Sequence, residues 1–292
     1  MTSGQIMESG LSRGTVRGLI RRGQWTQQRR DVVSVIAPEC ADEFAAISAT
    51  AAALSWRHAV ISHQSAAVLH GLPMLYRPGR PILTVTQNAS TGRRAGIHTR
   101  RATLGRDDVQ NWHGAAVTSV PRTILDVARH GRLEGLVMAD AALRLRLCTH
   151  KALDHAASTG AGWPGVRSAR WVAAHATPLA ESPLESLIRA CLIDHGVPLP
   201  ELQAWIELGQ TRFRVDGLWR EQGVVLEADG KIKYASAEAR GDALWAEKRR
   251  QEQLEQHGLR VVRASWAEVT RDQSQLVARI RRALGGDYRD TA

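Results

Sequence analysis

Long hydrophobic runs and cysteines are both scarce in this sequence. No apolar stretch approaches the ~20 residues of a membrane-spanning helix, and residues 1–10 lack the features of a signal peptide. The three cysteines, Cys40, Cys148 and Cys191, lie far apart and form no CxxC pair. We therefore expect buried thiols in a cytoplasmic protein that has no membrane partner.

Acidic residues are outnumbered by basic ones. The 292 residues include 39 Lys and Arg but 29 Asp and Glu, which gives a net charge of +10. This excess favours an anionic partner, and nucleic acid is the leading candidate. The length predicts two or three domains at about 100–200 residues each, and the apolar fraction of 43% is enough for ordinary cores.

Basic charge is concentrated near the N-terminus, where the first thirty residues hold six arginines and one acid, Glu8. Ser12 is a favourable N-cap and Gly23 a favourable helix stop, so a helix is predicted between them. Two stripes occur at helical spacing in this segment: the apolar residues Val16, Leu19 and Ile20, and the basic residues Arg13, Arg17 and Arg21.

A basic hairpin is predicted next, over Trp25–Ile36, and it contains Arg29 and Arg30. A short helix, a turn, a basic helix and a hairpin are typical of a winged helix-turn-helix, here over residues 1–40, with the basic helix in the major groove of double-stranded DNA. Few residues precede the basic helix, so its partner helix is expected to be short. The alternative is a solvated helix face without a partner.

Residues 41–157 predict a mixed α/β region without a recognisable catalytic motif. Helices are expected over Ala41–Leu54 and after Ser62, and strands over Pro81–Thr86 and Gly96–Arg101. His63 and His70 are separated by about 10.5 Å along a helix, too far to ligate one ion without further ligands. The stretch Ser158–Pro164, with its glycines and proline, predicts a linker and connecting helix over 158–180.

Residues 181–286 predict a second α/β domain. Ser182 to Glu185 reads as a capping box that starts a helix and gives Glu185 a structural role. The later elements are strands at about 202–208, 212–219 and 223–229, a basic helix over Ala237–His257, a strand over Leu259–Ala264 and a helix from about Thr270 to Leu284. This α-β-β-β-α-β order is that of the restriction-endonuclease-like core.

The middle strands of this domain predict a β-hairpin that carries acidic residues. If its turn is centred between Glu221 and Gln222, then Asp216 lies opposite Glu227, Leu218 opposite Val225 and Arg214 opposite Asp229. Asp216, Glu227 and Asp229 then share one face. Because opposed like charges are unfavourable, a bound divalent cation would explain the pairing. The alternative is solvated acids, with Arg214 neutralising Asp229.

Two families resemble parts of the chain. Residues 182–268 resemble the Vsr-like (very-short-patch-repair) branch of restriction-endonuclease-like domains through SPLES, RVDGLW, VVLEADGKIKY and EKRRQEQLEQHGLRVVRASW. Residues 10–147 resemble AbiEi-type antitoxins of type IV toxin–antitoxin systems through GLSRGTVRGLIRRGQW, SHQSAAVLHGLP and TSVPRTILDVA. Together the resemblances imply a winged-helix DNA reader fused to a nuclease-like fold.

The Vsr-like resemblance implies that Asp216 and Glu227 bind Mg²⁺. Asp229 occupies the position of the motif lysine and is a third candidate ligand, while Lys231 or Lys233 would replace that lysine. Glu185 would orient water at the rim of the site. In the basic helix, Lys248 and Arg249 are candidate DNA contacts.

Two functions follow from these observations, and a third possibility is a nuclease-like domain that only binds protein. In the first, the chain is a DNA-binding regulator of the antitoxin type whose partner toxin is encoded nearby, and the nuclease-like domain is a scaffold or a second DNA contact. In the second, it is a Mg²⁺-dependent DNA endonuclease of the PD-(D/E)XK type, targeted by the winged helix.

Overall fold

The computed structural model describes residues 1–56, 58–85, 91–94, 96–209, 211–230 and 248–285 of the chain. The chain divides into two compact units, Met1–Ala176 and Thr177–Ala292. Both units contain helices and strands, so the predicted mixed α/β, multidomain class is confirmed. In the described part of the chain, no helix is long and apolar enough to cross a membrane.

Unit 1 begins with two helices and a hairpin: α1 (Ser3–Glu8), α2 (Arg13–Arg21), β1 (Thr26–Arg29) and β2 (Val32–Ser34). The side chain of Ser12 accepts a hydrogen bond from the N–H of Thr15 at 3.1 Å and so caps α2. Gly23 follows the helix with φ of +70°, a conformation that glycine adopts at no steric cost. The predicted caps of α2, the short first helix and the basic hairpin are therefore all present.

A six-stranded sheet forms the middle of unit 1, in the strand order β5-β6-β4-β3-β8-β7. Its strands and the associated helices are α3 (Ala41–Ser55), β3 (Val60–Ile61), α4 (His63–Leu69), β4 (Ile82–Val85), β5 (Gly92–Arg94), β6 (Ile97–Arg101), β7 (Val109–Trp112) and β8 (Ala115–Thr118). Ile61, Leu83 and Val117 are fully buried in the core of this sheet, and the small side chains of α3 pack against them.

Four helices complete unit 1: α5 (Val120–Ala128), α6 (Arg132–Arg144), α7 (His150–Thr159) and α8 (Val166–His175). α8 packs against α5, α6 and α7, and buries Ala169 and Val172. The segment 158–180, predicted as a linker and connecting helix, therefore lies mostly within unit 1. The boundary between the two units follows Ala176.

Unit 2 contains a four-stranded sheet in the order β12-β11-β10-β9. Its elements are α9 (Pro183–Asp194), β9 (Glu201–Leu208), β10 (Thr211–Trp219), β11 (Val224–Asp229), α10 (residues 248–256), β12 (Arg260–Ser265), α11 (Trp266–Arg271) and α12 (Gln273–Ala283). β9, β10 and β11 are antiparallel neighbours, and β12 runs parallel to β11. Asp272 divides the predicted last helix into α11 and α12, and its side chain caps α12.

The strands of unit 2 lie within two residues of their predicted bounds. Val224, Val225 and Leu226 are all buried, which is usual for a strand covered on both faces. Leu254 of α10 packs into the same core as Val225. Burial alternates along β12, where Val262 and Ala264 are buried.

The three cysteines are free thiols in different environments. Cys191 is buried in α9, as predicted. The prediction of a buried thiol is wrong for Cys40, which is exposed because it lies at the surface end of α3. Cys148 is half-buried, and burial raises its pKa to about 11.

Candidate functional site

The acidic hairpin has the register that the turn position predicts. β10 and β11 pair Gly217 with Leu226, Leu218 with Val225 and Trp219 with Val224. Asp216 and Glu227 are the next residues beyond this ladder on their two strands, and both are half-buried. A carboxylate oxygen of Asp216 accepts a hydrogen bond from the backbone N–H of Ala228 at 2.8 Å.

Glu185 lies in the first turn of α9, and both of its carboxylate oxygens accept hydrogen bonds. Oε1 accepts from the Ser182 hydroxyl at 2.7 Å, and Oε2 accepts from the Glu181 N–H at 2.9 Å. In the capping box predicted from the sequence, the Glu185 side chain would accept from the backbone N–H of Ser182. Here it accepts from the N–H of Glu181, one residue earlier. Burial raises the pKa of Glu185, and the negative charge of Asp216 raises it further.

Gln203 joins this cluster, although no sequence signal indicated it. Its Nε2 donates to Oε2 of Glu185 at 2.8 Å. Its φ is +52° in the middle of β9, a region that residues other than glycine rarely adopt. Such a conformation costs roughly 1–3 kcal/mol and persists only where the surrounding structure holds it. Its neighbours Leu202 and Ala204 pair with Gly217 and Val215, which places Gln203 level with Asp216.

Glu227 is paired with an arginine of α10. Arg250 Nη2 lies 2.7 Å from Glu227 Oε1, and it also donates to the backbone oxygen of Arg214 at 2.6 Å. The side chains of Arg250 and Glu227 are 29% and 15% exposed, so the ion pair is largely removed from water. Arg214 pairs with Glu181 rather than neutralising Asp229, which is exposed at the end of β11.

The carboxylates in this arrangement are hydrogen-bond acceptors and ion-pair partners, and they do not form a set of metal ligands. Glu185 already accepts at both oxygens, and Glu227 is held by Arg250. Among the described residues, no group of three or more His, Cys, Asp and Glu side chains is placed to hold a metal ion. Lys231 and Lys233 lie outside the described residues.

The predicted DNA contacts are surface residues with one exception. Arg13, Arg17 and Arg21 of α2 are all exposed, as is Arg30 in the turn between β1 and β2. Arg29 is half-buried. In α10, Arg249 is exposed, and Lys248 makes an ion pair with Glu252 at 3.8 Å.

A buried charge network in unit 1 involves the TSVPRTILDVA motif. The Arg122 side chain is 2% exposed, and its guanidinium lies 3.0 Å from Asp126 and 2.8 Å from Asp108. It also lies over the Trp163 ring, 4.7 Å from the centroid. The i,i+4 spacing of Arg122 and Asp126 was the signal in the sequence that could have revealed this pair.

The two histidines of the SHQSAAVLHGLP motif have separate partners. His63 is buried with φ of +53°, and its Nδ1 lies 2.9 Å from the Ser62 hydroxyl. The Nε2 of His70 lies 2.7 Å from the backbone oxygen of Thr118. Burial lowers the pKa of His63 well below its usual value, and the positive charge of Arg100 lowers it further.

Comparison with known proteins gives relatives but no family. No protein-family model matches the chain. Two Mycobacterium tuberculosis proteins, MT2308 of strain CDC 1551 and Rv2248 of strain H37Rv, are each 33% identical to it over 178 residues. The match covers 60% of this chain and 64% of each relative, and both relatives are uncharacterized proteins.

Proposed function

We propose that this chain is a cytoplasmic DNA-binding regulator of the antitoxin type. In this proposal, α1, α2 and the β1–β2 hairpin form a winged helix-turn-helix, and unit 2 is a restriction-endonuclease-like domain that serves as a scaffold or second DNA contact. A toxin of the nucleotidyltransferase type, encoded beside it, would be its protein partner.

The observation that carries the proposal is the exposed arginine stripe of α2. Arg13, Arg17 and Arg21 form no ion pair with any described residue, and they extend over about 12 Å of helix axis. A row of unpaired cations can contact successive phosphates, since each DNA strand carries one negative charge per ~3.4 Å of duplex. The competing explanation, a solvated helix face, predicts no DNA-dependent role for them.

The test is the salt dependence of binding to duplex DNA from the chain's own promoter region. Replacing Arg13, Arg17 and Arg21 with Ala should weaken binding and flatten the log–log salt slope by about 2.7, which is about 0.9 per lost phosphate contact. The matched control replaces Arg144, Arg167 and Arg170, which are also exposed and belong to α6 and α8. Equal effects of the two triple variants would show that the stripe contributes only general positive charge.

The alternative function is a Mg²⁺-dependent endonuclease, favoured by the positions of Asp216 and Glu227 next to the end of the hairpin ladder. Against it, Arg250 already supplies the positive charge beside Glu227. We therefore expect no nicking of supercoiled plasmid by the wild type with Mg²⁺ or Mn²⁺. Metal-dependent cleavage that is lost in both Asp216→Ala and Glu227→Ala would establish the enzyme instead.

A further inference from the structure

A groove lined by arginines lies at the free edge of the unit 2 sheet. Its volume is about 490 Å³, and it is open to solvent. We call it the edge groove; its principal lining residues are Gln251 of α10, Arg260, Val262 and Arg263 of β12, and Arg279 and Arg282 of α12. Among the described strands, β12 pairs with β11 on one side only, so the groove follows the outer edge of the described sheet.

The edge groove contains more positive charge than its surroundings neutralise. Among the residues that the structure describes, its lining holds four arginines and no acidic residue. Arg279 is paired with Glu268 at 2.8 Å. Arg260 donates to the backbone oxygen of Gln222 at 3.0 Å, but neither Arg260 nor Arg282 has a carboxylate partner among the described residues. Both side chains are exposed, so their charges are available to a ligand.

The geometry favours a polyanion over a protein strand. A free sheet edge could pair with another β-strand, but charged side chains along the edge oppose such pairing. Here the guanidinium of Arg279 also donates to the backbone oxygen of Arg263, which occupies one of the acceptors on β12. An open groove with cations on both walls instead suits a ligand with repeated negative charges along its length.

The edge groove is adjacent to a predicted DNA contact. Gln251 lines the groove, and Lys248 precedes it by three residues on the described part of α10. Residues three apart on a helix lie on the same face. Lys248, which is paired with Glu252 at 3.8 Å, therefore lies on the groove side of α10.

From these contacts we propose that the edge groove is a nucleic-acid contact of unit 2, in which Arg260 and Arg282 bind the phosphodiester backbone of duplex DNA. The proposal rests on the proposed function and names the surface that the second domain uses. Phosphate contacts of this kind position a protein on DNA without reading its sequence, so the edge groove would add affinity without adding sequence preference.

The test compares the full-length Arg260→Gln/Arg282→Gln variant with wild type on a mixed-sequence DNA duplex. The log–log salt slope should fall by about 1.8, which is about 0.9 for each of two lost contacts. The Arg260→Lys/Arg282→Lys variant should keep the slope because it keeps the charges. The control variant is Arg170→Gln/Arg271→Gln, whose arginines are exposed and lie outside the groove; it should leave the slope close to that of wild type.

The outcomes separate this proposal from the proposed function. A wild-type slope in the Gln double variant would overturn the role of the edge groove while leaving DNA binding by α2 intact. Self-association of that variant in light scattering, without a change in slope, would show that the arginines only protect the sheet edge. Absence of DNA binding by the wild type would overturn both proposals. If the double variant does not fold, Arg282→Glu alone, at the exposed end of α12, must weaken binding or the proposal fails.

Discussion

Replacing Arg122 with Met should strongly destabilise unit 1 because it would remove the nearer ion-pair partner of the buried Asp126 carboxylate. Asp126 is 1% exposed, and Arg122 and Arg129 supply its ion pairs at 3.0 and 3.6 Å. Burial raises the pKa of Asp126, and Arg122 is the strongest of the groups that lower it. Met keeps the aliphatic stem of Arg122 and carries no charge, so the variant removes the guanidinium with its ion pairs and its contact over the Trp163 ring.

The expected cost is about 3–5 kcal/mol, the usual penalty for removing one partner of a buried ion pair. Protonation of Asp126 limits it: taking up a proton at pH 7 against an ordinary pKa near 3.9 costs about 4 kcal/mol. The penalty should therefore shrink by about 1.4 kcal/mol for each pH unit below 7. The double variant Arg122→Met/Asp126→Leu should recover most of the loss, since replacing both partners of a buried pair by apolar groups is often neutral.

Hydrogen exchange of the full chain measures this effect locally. The slowest amides of α5 should exchange about two to three orders of magnitude faster in Arg122→Met, while those of β10 serve as an internal control. Arg77→Met is the matched control variant, because Arg77 and Asp42 are paired at 2.7 Å but are 60% and 50% exposed. It should leave exchange in α5 unchanged, because an ion pair exposed to water contributes little to stability. A change below tenfold in α5, or an equal change in β10, would refute the reasoning.

Two further predictions concern unit 1. In the folded chain, burial lowers the pKa of His63 well below 6.5. As the pH falls, the imidazole of His63 is therefore protonated in the unfolded chain before it is protonated in the folded chain. At pH values below about 6.5, the free energy of unfolding should therefore decrease by up to about 1.4 kcal/mol per pH unit because of this residue. Urea unfolding of His63→Gln should show a shallower pH dependence, and an unchanged pH dependence would contradict the assignment. In Gly165→Ala, the new Cβ would lie 2.1 Å from the backbone oxygen of Arg129 at φ of +78°, so thermal unfolding should show a loss of roughly 4 kcal/mol or more. Gly79→Ala, with nothing within 4 Å of its Cβ, should stay within about 0.5 kcal/mol of wild type.

Local patterns predicted the N-terminal helix and the acidic hairpin because both depend on short-range rules. Ser12 and Gly23 act as start and stop signals wherever the chain is placed. Alternating apolar residues around a polar turn fix which strand positions face each other, and this gave the pairing of Leu218 with Val225. Both elements could therefore be predicted without knowing the rest of the fold.

The glycines near residue 160 predicted a linker, but glycine has more than one structural use. A cluster of glycines predicts a linker, but a Cβ added at Gly160 would lie 3.4 Å from Leu125, so a neighbour closely approaches this position. Gly165 allows the left-handed turn before α8 and the close approach to Arg129. Only the packing of α8 against the other helices distinguishes these roles from those of a linker.

The sequence interpretation named Lys248 and Arg249 of the basic run on α10 as DNA contacts and gave Arg250 no role. Arg250 precedes the buried Leu254 by four residues. Residues four apart share a face of a helix, so Arg250 points inward with Leu254. The spacing to Leu254 was the signal that could have assigned Arg250 to the acidic site. Gln203 had no such signal, because its positive φ depends on the surrounding contacts.

The acidic pair shows what such a pattern can and cannot predict. Like charges on neighbouring strands are unfavourable, so Asp216 and Glu227 require compensation from some positive group or donor. Here the backbone N–H of Ala228 bonds Asp216 and the guanidinium of Arg250 bonds Glu227. A metal ion and an arginine satisfy the same electrostatic requirement, but the arginine comes from another part of the chain and the metal ion comes from solution. The sequence of the hairpin therefore predicts that a counter-charge is present, whereas its chemical identity depends on the helix that packs beside it.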